Sequence, residues 1–191
     1  MNTTEHAEGR KAYDHVVQQL LLDHMRAGGE AVFLVVSNSM RPLVHQGDEV
    51  MVERISSADL RCGDMVTLWN GKGYWTHRFL GWRMRGNTRV LITKGDACYT
   101  ADPPVSPDQV IGKVAALQRK GRRLHSHRWP YAPFHALIGL LSRVQASVPR
   151  GNALNNRGLI VLFDRIVYLL LRGISGLLRR GFVEIETSKA T

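Results

Sequence analysis

The stretch "VVSNSMRPLVHQGDEVMVER", residues 35–54, sets two serines either side of an asparagine directly after an apolar run. A serine hydroxyl is a weak nucleophile until a neighbouring base takes its proton and fixed donors stabilise the oxyanion that follows. Ser39 has a suitable setting, because it follows an apparent buried strand and Pro42 stiffens the chain just beyond it. Ser37 lies two residues earlier in an extended segment and so projects to the same side. Its hydroxyl can donate to a developing oxyanion beside a backbone N–H.

The base has to come from elsewhere in the chain. "WTHRFLGW" puts His77 in the middle of a strand-like run of apolar and aromatic residues. A histidine works near neutral pH without the desolvation a lysine needs, but it does need a partner to orient it. "ITKGDACYTADPP" offers Asp96 and Asp102 for that purpose, just past another strand-like run. The chain order Ser, His, Asp is no obstacle, since strands distant in sequence can meet in space. Each residue also has a plainer reading: turn serines, a strand-face histidine, and aspartates that bond local backbone N–H groups.

The elements that would position these groups are short strands. "AVFLVV", "EVMVERI", "DMVTLWN", "YWTHRFL", "RVLITK" and "VIGKVAAL" are β-rich and separated by Gly, Asp, Asn and Pro. "NGKG", "RGN" and "RKGRR" have the composition of hairpin turns. Before them, Tyr13, Val16, Val17, Leu20 and Leu21 recur at helical spacing over residues 12–26, with Gly28-Gly29 as a stop. After "RWPYAP", Phe134, Leu137, Ile138, Leu141, Val144 and Val148 mark one helix face that ends at Pro149. Residues 159–180 form a second helix, with Asp164, Tyr168, Arg172, Ser175 and Arg179 on a narrow polar stripe. The expected fold is therefore mainly β, divided into an N-terminal amphipathic helix (1–30), a β-rich body (31–127) and a cationic helical hairpin (128–191).

Composition narrows the function. Of 191 residues, 44% are hydrophobic and 22% charged, so the chain is globular rather than disordered. Its two cysteines, Cys62 and Cys98, form neither a disulfide framework nor a CxxC metal pattern. His125 and His127 share one face of a strand but have no carboxylate or cysteine nearby in sequence, so surface histidines are expected and neither metal nor cofactor is. The formal charge of +10 is concentrated: residues 119–180 hold 12 basic residues against one acidic. Such a surface attracts phosphates, and its many leucines and few aromatics favour lipid over nucleic acid. No secretory signal opens the sequence, and the apolar run "GLIVLFDRIVYLLLRGISGLL" is interrupted by Asp164, Arg165 and Arg172, which argues against a transmembrane anchor. Membrane association through residues 131–180 is expected, without a side being fixed.

The motifs taken together resemble those of the signal peptidase I and LexA-type serine peptidase superfamily. "SNSMRPLVHQGDEVMV" is similar to its Ser-x-Ser-Met-x-Pro box followed by Gly-Asp, and "CGDMVTL" to its Gly-Asp-hydrophobic strand. "THRFLG" matches the His-Arg pair of the endoplasmic-reticulum-type branch, where other members carry Lys-Arg. "ITKGDACYTADPPVSPDQVIGKV" resembles that branch's Lys-Gly-Asp box, its second aspartate and its closing Ile-Gly-Lys strand. The four motifs occur in the family's order over residues 31–117.

By position, this resemblance implies Ser39 as nucleophile and His77 as general base. It implies that Asp102 orients His77, Asp96 braces the site and Ser37 assists the oxyanion hole. The implied fold is a compact signal-peptidase-like β-barrel or coiled sheet. The implied substrate is an extended peptide or pre-protein with small side chains before the scissile bond. Three departures stand out: a charged helix in place of the usual apolar anchor, Asn38 where a glycine is usual, and Ala97 where an asparagine is usual. Asn38 is expected to tolerate the unusual backbone angles of that glycine. The competing expectation is a catalytically silent module that binds membranes or nucleic acid through its cationic helices.

Overall fold

The computed structural model describes residues 19–21, 23–25, 27–71, 73–125, 132–148, 157–179 and 183–184. The protein is mainly β. Strands β1 (Glu30–Leu34), β2 (Glu49–Glu53), β3 (Met65–Trp69), β4 (Tyr74–Arg85), β5 (Thr88–Lys94), β6 (Val110–Arg119), β7 (Arg122–His125) and β8 (Val183–Glu184) form one eight-stranded sheet. All its pairings are antiparallel. Helices α1 (Ala132–Ser147) and α2 (Arg157–Arg179) follow β7.

The strand order is β1-β2-β6-β3-β4-β5, and the sheet is not closed into a barrel, contrary to one form of the expectation. The reason lies in β6. One of its edges pairs with β2, while the other is shared end to end by β3 and β7. The sheet branches there, and β1, β5 and β8 are its three ends among the described residues. Register shifts at Met51/Val52, Thr67/Leu68 and Phe79/Gly81 are bulges that increase the local twist. The turn joining β6 to β7 has Lys120 and Gly121 both at positive φ, as a tight hairpin requires.

Two hydrophobic clusters hold the layers together. One lies among β3, β4 and β5 and contains Val66, Leu68, Phe79, Leu91 and Val105. The other joins β2, β6 and β7 to the helices, packing Val50, Val52, Val114, Leu117 and Leu124 with Ile138, Val167, Leu171 and Leu178. Each such buried side chain contributes about 2 kcal/mol. The C-terminal helices thus share the core of the sheet. Contact is close where α1 meets the loop at Gly63: an added Cβ at Gly63 would lie 2.2 Å from His135 O, and one at Gly139 2.6 Å from Gly63 Cα.

Residues 19–21 and 23–25 are helical, and this helix ends where expected, with Gly28 N bonding Met25 O and Gly28 at φ +87°. The rest of the anticipated 12–26 helix lies outside the described residues, as do His127 and residues 151–156 of the turn expected over 151–158, whose last two residues instead open α2. The polar stripe expected on α2 is split. Ser175 is buried, Asp164 is half-buried, and Tyr168 and Arg172 are exposed. The helix has one apolar face against the body and another facing outward, so the polar residues fall along the border between them. Pairing of β8 with β7 ties the C-terminal segment back to the sheet, which the sequence pattern did not suggest.

Candidate active site

The turn after β1 carries Ser39, β4 carries His77, and the loop after β5 carries Asp102. His77 sits opposite Val66 of β3 in the middle of the sheet, so strand pairing fixes its position along the ladder. The loop after β5 folds back on its own strand, with Asp102 N bonding Thr93 O at 2.8 Å. The same loop fastens the serine turn, with Ala97 N bonding Ser39 O at 2.8 Å. An added Cβ at Gly95 would lie 2.7 Å from Ser39 O and 3.0 Å from His77 Nε2, so only glycine lets the loop come this close.

These anchors bring the three side chains into one line. His77 Nε2 lies 3.0 Å from Ser39 Oγ, and His77 Nδ1 lies 2.7 Å from Asp102 Oδ2. The Thr93 hydroxyl donates to the same carboxylate oxygen at 2.6 Å. An ionised carboxylate only accepts, so His77 carries its proton on Nδ1 and Nε2 is the acceptor. Ser39 then donates to Nε2, and its oxygen is free to accept from Ser37 Oγ, 3.1 Å away. Proton donation therefore runs from Ser37 through Ser39 and His77 to Asp102.

His77 and Asp102 are mostly shielded, with side-chain exposures of 13% and 19%. Burial pushes the Asp102 carboxyl upward, but several effects outweigh it and hold the group below its ordinary value. These are the His77 hydrogen bond and charge, the Thr93 hydroxyl and the Lys94 ammonium. Asp102 thus stays ionised, as a partner of imidazolium must.

A scan of models of known protein families and a search of curated proteins both return no match. What the site can do therefore rests on its geometry and on the motifs.

Asp96 does not touch the Ser39–His77–Asp102 line. It faces the layer behind, where it takes a two-pronged ion pair from Arg78 at 2.7 and 2.6 Å, both side chains being essentially inaccessible. Arg78 Nη1 also donates to Gly63 O at 2.6 Å and lies 3.2 Å from His135 Nδ1 on α1. Beside it in the ladder, opposite Arg78, is Lys94. Its ammonium donates to Gly95 O at 3.0 Å, Cys98 O at 2.6 Å and Gln145 Oε1 at 3.1 Å, which uses all three of its protons. Gln145 Nε2 in turn donates to Asp164 Oδ1 on α2 at 3.0 Å.

Sequence reasoning overlooked Thr93, His135 and Gln145, and it placed Lys94 and Gly95 in the Lys-Gly-Asp box without giving either a role. Arg78 did carry a signal, because a cation inside the apolar run "WTHRFLGW" must find a buried partner. Asn38 is also differently placed from expectation: among the described non-glycine residues only Lys120 has positive φ. Asn38 serves the turn instead, its Oδ1 accepting from Gln46 N at 3.3 Å.

Beside Ser39 is a cleft of about 270 Å³, walled by Val35, Val36, Met40, Val44, Tyr74 and Thr76. A larger one of about 650 Å³ lies where α1 meets residues 59–64, but Ser39, His77 and Asp102 do not line it. Among the described residues, no three His, Cys, Asp or Glu side chains gather as metal ligands.

Proposed function

We propose that the protein is a serine endopeptidase of signal-peptidase type that cleaves a leader or pre-protein peptide through an acyl-enzyme. The observation that carries this reading is the continuous line from Ser39 Oγ to His77 at 3.0 Å and on to Asp102 at 2.7 Å. The resemblance of four ordered motifs to the signal peptidase and LexA-type superfamily supports it.

In this mechanism Ser39 Oγ attacks the scissile carbonyl while its proton passes to His77 Nε2. Asp102 stabilises the imidazolium that forms. Ser37, whose hydroxyl bonds Ser39 at rest, turns to donate to the oxyanion. His77 then protonates the leaving amine, which departs and leaves an ester on Ser39. A water enters, His77 takes its proton, and the ester is hydrolysed. The substrate adds as a strand beside residues 33–36 and seats a small side chain in the cleft beside Ser39.

The test is product release from an Ala-x-Ala-type peptide by wild type, Ser39→Ala and His77→Ala. Cleavage by wild type alone is expected. Equal behaviour of all three proteins would replace the peptidase with a catalytically silent binding module.

A further inference from the structure

Helix α2 presents two apolar faces, and only one has a partner within the described chain. Val167, Leu171 and Leu178 are buried against the body. On the opposite side Leu162, Ile166, Leu169 and Leu177 are 55%, 48%, 62% and 50% exposed. At about 100° per residue these four fall on one outward stripe along the helix. A run of exposed leucines at regular spacing is an interaction surface, whereas singly scattered ones need no explanation.

The border of the stripe indicates what covers it. Arg165 and Arg172 are exposed and seven residues apart, so they stand on one flank, with Tyr168 (40% exposed) beside them. Long cationic side chains there can lay their stems along an apolar layer and keep their heads among phosphates. An aromatic with a polar tip suits the same boundary. Among the described residues no helix is long and apolar enough to cross a membrane, so α2 would lie along a surface rather than span it. A second copy packed antiparallel through the same face would set Arg165 of one copy near Arg172 of the other, like charge against like.

We propose that the outward face of α2 docks in the plane of an anionic lipid bilayer, with Leu162, Ile166, Leu169 and Leu177 entering the acyl boundary and Arg165 and Arg172 holding headgroup phosphates. No residue of the Ser39 site takes part. Docking would hold the peptidase body at the membrane surface through its C-terminal helix.

Flotation of the full chain with vesicles tests this. One set of vesicles is phosphatidylcholine alone, and the other is equimolar phosphatidylcholine and phosphatidylglycerol. Wild type should float with the anionic vesicles only, and salt should weaken the binding. R165Q and R172Q should each lower the partition by about fivefold. The double variant L162Q/L169Q should abolish it while leaving the melting temperature unchanged, since both side chains are outside the core. Three results would overturn the proposal: wild type staying in the buffer with both vesicle types, undiminished binding by L162Q/L169Q, or a wild-type dimer that this double variant converts to monomer. A salt-insensitive partition unaffected by R165Q/R172Q would overturn the anionic part.

Discussion

Lys94 of β5 and Gln145 of α1 meet behind the Ser39 site, the ammonium donating to the amide oxygen at 3.1 Å. The other two donors of the same ammonium hold the carbonyls of Gly95 and Cys98, in the loop that fastens Ser39 and presents Asp102. Gln145→Ala leaves the third donor buried without its acceptor, at a cost of about 1–3 kcal/mol. Urea unfolding should show that loss. Peptide cleavage per folded molecule should fall as well, because the loop loosens.

Ser39→Ala and His77→Ala should each reduce kcat by roughly 10⁴-fold or more, with KM little changed. Because the two act as one unit, the double variant should be no slower than the poorer single. Additive losses in single-turnover assays would mean that the two residues work independently.

Asp102→Asn should also slow cleavage by roughly 10⁴-fold, since it removes the anion that fixes the His77 tautomer. Its effect on stability has a definite sign. Folding holds the Asp102 carboxyl below its ordinary value, so its stabilisation is present above the unfolded-state value and is lost as pH falls through the lower folded-state value. Melting temperature against pH should therefore drop in acid for wild type, and by less for Asp102→Asn.

Asp96→Ala removes the partner of an arginine with no solvent access and should cost about 3–5 kcal/mol. Replacing both members, as in Arg78→Met with Asp96→Leu, should recover much of that stability. Chemical denaturation of the single and double variants distinguishes a brace of this kind from a catalytic acid.

Gly95→Ala places a methyl group 2.7 Å from Ser39 O, 2.8 Å from Cys98 Sγ and 3.0 Å from His77 Nε2. The serine turn has to shift, and a displacement of that order costs about 10²-fold in rate. Circular dichroism should stay native while turnover falls.

Much of this was legible in the chain. The six main strands announced themselves by apolar runs cut at Gly, Asp, Asn and Pro, and the Ser39–His77–Asp102 line by a serine after a strand, a histidine within one and an aspartate beyond another. Less legible was anything that depended on long-range pairing. His135 and Gln145 lie 57 and 51 residues from the cations they meet, on a helix whose sequence pattern shows only its apolar face. The branching of the sheet at β6 was equally hidden, since edge sharing by β3 and β7 follows from strand length and register rather than from residue type. The split stripe of α2 misled for a related reason: a helix apolar on two sides leaves only a narrow band for polar groups, and the pattern does not say which of them turn inward.

The buried cations behind the site also bear on synthesis. Arg78 and Lys94 each meet a partner on α1, residues 135 and 145, and Gln145 donates in turn to Asp164. A nascent chain that has emerged from the ribosome only as far as Asp102 holds every residue of the proton line but lacks both β6, which joins β2 to β3, and the helices behind the site. Under the proposed function, Ser39 would become active only once β6 and the C-terminal helices have been made.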